Sequence, residues 1–325
     1  MMNRRLRGFA RRRALGLVAF AACILIFAAL AGVEHYASRD YVPFFSDHKG
    51  QLISVEERSD EVGDEHIVRE LILRDDRGLV VRAVVKIPRA PSLPRAAIIS
   101  LGGLQSGARA LEYLRDTGDF VVLAMDFPFE GKRSGLSTLE FFRCLPAMRR
   151  ALLDTPPATM LGVDYLRGLP EVDPNRVLLV GGSLGALVAP AIAATDERIA
   201  AVALLFGAGD LRSVVEANFP GPRLVRRPLA WIFSALVSPM EPLKYIGRIA
   251  SRPVFMLNGS GDPRMPVHCS RLLHDAAGDP KTIRWIDAGH VSIRDVTFRE
   301  RVLRHFREWL VETGYEPGGG THTKD

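Results

Sequence analysis

Ser183 stands at the centre of Gly181-Gly182-Ser183-Leu184-Gly185, a G-x-S-x-G pattern that follows the apolar run 177–180 and opens the apolar stretch 184–194. The pattern calls for a strand, a tight turn and a helix start, with the serine exposed at the tip of the turn. Neighbouring glycines remove the side chains that would collide there. A serine hydroxyl is a weak nucleophile. It needs a base to take its proton and donors to hold the negative charge that develops on an attacked carbonyl. Backbone N–H groups at a helix start favour such a charge. Two further polar residues lie just past apolar runs. Run 254–257 leads into Asn258-Gly259-Ser260-Gly261-Asp262-Pro263, and run 282–286 leads into Asp287-Ala288-Gly289-His290. Taken singly, Asp262 is a turn residue beside a proline and His290 a surface histidine. The other histidines (His35, His48, His66, His268, His274, His305, His322) have no comparable setting, and no H-E-x-x-H is present.

The elements that must position these residues read as follows. Residues 66–73 and 79–87 are β-branched runs separated by Asp75-Asp76-Arg77-Gly78, a hairpin signal. Beyond Pro88, Pro91 and Pro94, short apolar runs at 96–101, 120–125, 177–180, 199–206, 254–257 and 282–286 alternate with helical stretches. Continuous runs of this kind suit strands buried on both faces. In the last helical stretch Phe298, Val302, Phe306 and Leu310 recur at helical spacing. The β/α alternation predicts an α/β fold with a doubly wound, mostly parallel sheet. Segment 211–250 is too long for a simple connection and reads either as a small helical cap over the site or as one more helix on the sheet. No internal repeat of 20 to 50 residues is visible. The tail, 314–325, carries Pro317-Gly318-Gly319-Gly320 and polar residues and is expected to be disordered.

Composition bounds the function classes. With 325 residues, 47% hydrophobic and 25% charged, the chain is an ordinary globular one. Its three cysteines, Cys23, Cys144 and Cys269, match no disulfide framework, zinc or haem spacing, and whether Cys144 and Cys269 pair is not readable from spacing. The formal net charge of +6 is carried by Arg4, Arg5, Arg7, Arg11, Arg12 and Arg13, leaving the rest of the chain formally neutral. A nucleic-acid partner would need positive charge on the folded body, so none is expected. Residues 14–33 carry no charge and would measure about 30 Å as a helix at ~1.5 Å per residue, the thickness of a bilayer core. The expectation is a basic cytoplasmic segment (1–13), a transmembrane signal anchor (14–33), a tether (34–51), a folded domain (52–313) and the tail, with the domain outside the membrane. Cleavage of a signal peptide near Ala31 is the alternative, and would release the domain as a secreted protein.

The serine turn and its placement after a buried strand resemble the α/β-hydrolase superfamily. The loop that offers Asp262 resembles the family's acid loop, and the loop ending in His290 its histidine loop, in the family's chain order of serine, acid, histidine. The resemblance implies that Ser183 attacks a carbonyl, that His290 takes and returns the proton, and that Asp262 orients the imidazole. Asp210, after run 199–206, is the alternative acid, whereas Glu241 reads as a helix start. The oxyanion hole would use the N–H of Leu184 and that of Gly103, with Leu104 next. There the chain departs from the family, with Leu101 where a histidine is common and no H-G-G-G. The segment 126–135 resembles a loop that shapes the pocket. The early hairpin and Val172-Asp173-Pro174-Asn175-Arg176 are similar to the branch of dienelactone hydrolases, acetyl xylan esterases and prolyl oligopeptidase catalytic domains, although there is no room for a β-propeller. The resemblance covers about residues 52–313 and implies a serine hydrolase acting on a small-molecule ester without metal or organic cofactor; with the stretch 14–33 as anchor, the expectation is a membrane-anchored one. A peptidase, amidase or thioesterase would use the same residues. A catalytically silent binding module would share the fold without the activity.

Overall fold

The computed structural model describes residues 24, 28, 31–63, 65–89, 94–103, 107–108, 111, 118–129, 131, 135, 137–219, 221–292 and 295–315. The chain forms two units, Met1–Arg39 and Asp40–Asp325. In the first, residues 31–38 are helical. The expected span 14–33 falls almost wholly outside the described residues, among which no helix is long and apolar enough to cross a membrane.

The second unit begins earlier than the sequence suggested. Helix α1 (Val42–His48) lies in the stretch read as tether, and its Phe45 is fully buried. Lys49, just beyond it, pairs with Asp164 at 2.7 Å. A seven-residue helix that buries one side chain leaves no periodic trace, which is why 42–48 reads as irregular.

Strand β1 (Leu52–Val62), which no alternation announced, is exposed throughout 53–58 and pairs antiparallel with β2 (His66–Asp75), which pairs antiparallel with β3 (Val80–Pro88). The buried Asp75 carboxylate closes the β2–β3 turn by accepting from the N–H of Arg77 (3.0 Å) and of Leu79 (2.7 Å). The parallel strands follow: β4 (Arg95–Leu101), β5 (Val121–Met125), β6 (Val172–Gly182), β7 (Ile199–Leu205), β8 (Val254–Gly259) and β9 (Lys281–Ile286). The nine strands make one sheet in the order β1-β2-β3-β5-β4-β6-β7-β8-β9, with β3 antiparallel to β5 and all later pairs parallel. Every residue of β5 and of β8 is buried, as expected of strands covered on both faces.

Helix α2 (Thr138–Arg167) opens on a capping box between Ser137 and Glu140. Pro146, Pro156 and Pro157 lie inside it and hide it from a periodicity reading. Helix α3 (Leu184–Thr195) follows the serine turn and is buried from Gly185 to Ala193. The excursion between β7 and β8 consists of α4 (Leu211–Asn218), α5 (Arg223–Val237) and three short 3-10 turns ending at Ile249. It is helical, and its Asn218 side chain donates to the Arg264 carbonyl at 2.8 Å, touching the Asp262 loop. Helices α6 (Val267–Ala276) and α7 (Val296–Glu312) complete the unit. The expected stripe Phe298, Val302, Phe306 and Leu310 is buried, and Phe306 and Trp309 pack on Phe255 of β8. Each such side chain contributes roughly 1.5–3 kcal/mol on burial. Of the tail, Gly314 and Tyr315 are held through their carbonyls by Arg176, and residues 316–325 lie outside the described ones.

Candidate active site

Strand β6 ends at Gly182 and α3 begins at Leu184, so Ser183 alone makes the corner, at φ 54° and ψ −112°. A positive φ at a residue with a Cβ costs about 1–3 kcal/mol and persists only where the surroundings impose it. Ser183 donates its N–H to the Leu205 carbonyl of β7 (2.9 Å), and its own carbonyl accepts from Ala186 (3.0 Å) and Leu187 (3.2 Å). The flanking glycines are required by space. A Cβ on Gly181 would strike the carbonyl of Gly185, and one on Gly185 would strike the carbonyl of Leu101 at the end of β4. Nothing stands near Gly182, the free position of the pattern.

The Ser183 Oγ lies 2.8 Å from Nε2 of His290, and Nδ1 of His290 lies 2.7 Å from Oδ2 of Asp262. Asp262 is buried, and its Oδ1 accepts from the N–H of Arg264 (2.8 Å) and of Met265 (3.1 Å). The carboxylate is thus an acceptor only. Nδ1 of His290 must donate to it, which leaves Nε2 to accept from the serine hydroxyl. The two loops are joined to each other: Ser260 donates to the Ile286 carbonyl (2.9 Å) and Gly261 to that of Ala288 (3.0 Å). A Cβ on Gly259 would come within 2.5 Å of the Ala288 carbonyl, so glycine permits this approach. The edge of Phe206 faces the His290 ring, with centroids 6.1 Å apart and planes at 77°.

Leu184 is the first residue of α3, where an α-helix leaves its N–H without an intrahelical acceptor. Gly103 lies two residues beyond the end of β4, whose Leu101 carbonyl contacts Gly185. The Gly103 carbonyl accepts from Gly107, and Asp126, after β5, accepts from Ala108 at 2.9 Å. Leu104 lies outside the described residues.

The structure brings Ser183, His290 and Asp262 together and leaves Asp210 out. Asp210 caps α4, accepting from the Ser213 N–H (3.3 Å) and hydroxyl (2.5 Å). Glu241 accepts from the N–H groups of Asp210 (3.0 Å), Leu211 (2.8 Å) and Leu243 (3.3 Å), and burial raises its pKa above the usual carboxylate value. Cys144 and Cys269 are both free thiols.

Sequence reasoning missed a buried network behind the site. The His274 Nε2–H donates to Asn258 Oδ1 (2.9 Å), while Asn258 Nδ2 and the Ser270 hydroxyl both donate to the Gly207 carbonyl (2.8 and 3.0 Å). This ties the mouth of β8 to the segment leaving β7. Burial pushes the His274 pKa down to about 4, so the ring is neutral at pH 7. The available signal was Asn258, a polar residue closing the apolar run 254–257.

No protein-family model and no curated protein matches the chain by sequence. Solved structures do. Acetyl xylan esterase 1 from a Thermoanaerobacterium species superposes with a TM-score of 0.63 at 20% identity, over 82% of this chain and 92% of that one. An acetyl xylan esterase from Paenibacillus sp. R4 gives 0.63 at 17% over the same shares, and the 2,6-dihydroxy-pseudo-oxynicotine hydrolase 0.56 at 21%, over 78% and 70%. At these identities the likeness concerns architecture, and the chain has the fold of the α/β-hydrolase superfamily.

Proposed function

We propose that this chain is a serine hydrolase that cleaves a carboxylic ester through an acyl-enzyme. The observation that carries the reading is the unbroken relay from the Ser183 hydroxyl through His290 to Asp262, at 2.8 and 2.7 Å. In the proposed cycle Ser183 Oγ attacks the ester carbonyl while His290 Nε2 accepts its proton. The Asp262 carboxylate stabilises the imidazolium, and the N–H groups of Leu184 and Gly103 receive the oxyanion. His290 then protonates the leaving alcohol, and a water deprotonated by His290 releases the acid. The esterases among the structural neighbours support an ester over an amide as the substrate. The uncharged stretch 14–33, behind six arginines, supports tethering at a membrane with the catalytic unit outside.

Fluorophosphonate labelling of the full chain tests this reading. Label is expected on Ser183 in the wild type and nowhere in Ser183→Ala, with turnover of p-nitrophenyl esters lost in the variant. A folded wild type that takes no label would favour a binding module. Faster cleavage of anilides than of matching esters would favour an amidase.

A further inference from the structure

We propose that Asp210, His268 and Cys269 form a binding site for a divalent transition metal, with zinc the best match. One ligand atom from each, a carboxylate oxygen, an imidazole nitrogen and the thiol sulfur, lie within 4.8 Å of one another. This mixed set of sulfur, nitrogen and oxygen donors suits zinc, which takes four ligands in a tetrahedron, and suits calcium or magnesium poorly. Cysteine spacing could not reveal it, because the third ligand comes from the far side of the 211–250 excursion.

The donors are held in place before any metal arrives. Asp210 is fixed as the cap of α4, where the Ser213 hydroxyl holds one carboxylate oxygen at 2.5 Å. The Gly209 N–H donates to the Cys269 carbonyl at 2.9 Å, so the residue before Asp210 is bonded to the residue that carries the thiol. His268 Nε2 lies 3.2 Å from Cys269 Sγ. Such supporting contacts fix ligand orientation. Burial first, and then the neighbouring Asp210 and Glu241, push the Cys269 thiol up to about 12, so it holds its proton until a metal displaces it. Cys269 is buried and His268 exposed, so the ion would enter from the His268 side and keep water as its fourth ligand. On binding, the metal–sulfur bond forms as the thiol proton passes to solvent. The consequence is a clamp between the first turn of α4 and the first turn of α6, the helix that continues the Asp262 loop.

The test is titration of the untagged, chelator-stripped full chain with cobalt(II), then displacement by zinc. One equivalent of cobalt is expected to give a thiolate charge-transfer band in the near ultraviolet, bleached by zinc, and zinc should raise the melting temperature. Cys269→Ser should abolish the band. Asp210→Asn should weaken binding, and His268→Ala, at an exposed position that leaves the fold intact, should weaken it at least about tenfold. No thiolate band in the wild type, a band that survives Cys269→Ser, or unchanged affinity in His268→Ala would each overturn the site. None of these readouts depends on hydrolytic activity.

Discussion

The antiparallel strands β1–β3 and the parallel strands β4–β9 belong to one sheet but obey different rules. Along β1 the side chains from 53 to 58 face solvent, and Glu56, Glu57 and Arg58 place charges along the outermost strand, where an open edge would otherwise pair with another chain. Along β8 every residue is buried. All three residues of the proposed relay leave from the parallel strands, just beyond the carboxyl ends of β6, β8 and β9. Burial holds the ends of β6 and β8, whereas the half-exposed edge strand β9 is held by its ladder to β8 and by the Ser260–Ile286 and Gly261–Ala288 bonds. The meander completes the sheet.

Substitutions can break or sharpen that contrast. The largest effect is expected from Asp262→Asn, which keeps the shape but loses the acceptor that sets the His290 tautomer. Ester turnover should fall about 10³–10⁴-fold, and a loss below tenfold would place the acid elsewhere. Gly185→Ala sets a methyl against the Leu101 carbonyl and should destabilise the fold by roughly 3 kcal/mol or more, read as a lower urea midpoint. An unchanged midpoint would show that this junction has slack.

A pH effect of similar or smaller size follows from His274. Its folded pKa of about 4 lies below the ordinary value near 6.5, so the native state holds the neutral ring. The associated stability is complete above pH 6.5 and is lost as pH falls from there through 4, by about 3 kcal/mol at most. Urea midpoints at pH 7.5 and 4.5 should differ less in His274→Gln than in the wild type; equal differences would remove His274 as the cause. The smallest effect belongs to the meander. Glu56→Ala breaks exposed pairs with Arg58 (3.2 Å) and Arg74 (3.4 Å) and should shift stability by no more than about 0.5 kcal/mol. A loss above 1 kcal/mol would mean that β1 carries more than its exposure suggests.

What the sequence disclosed follows the same division. Strands β4–β8 are legible because two-sided burial writes apolar runs. Strand β9, expected to be covered on both faces, is instead a half-exposed edge strand, legible from Ile283, Trp285 and Ile286. Ser183, Asp262 and His290 each come just past a strand. Helix α2 was hidden by its prolines, α1 by offering only Phe45 to the core, and β1 by exposing its side chains from 53 to 58. The His274–Asn258–Gly207 network and the Asp210–His268–Cys269 cluster join residues far apart in the chain, and no local pattern marks such meetings. Asp210 and Asp262 both follow parallel strands, and only the fold decides which carboxylate reaches His290.

The proposed relay joins residues 107 and 28 positions apart, and His290 is followed by α7, the last helix among the described residues. During synthesis Ser183 therefore emerges long before the histidine that would arm it. On the proposed mechanism, a truncated chain ending before His290 would carry an inert hydroxyl. Under the proposed mechanism, reactivity at this serine would report that the chain has been made and folded past His290.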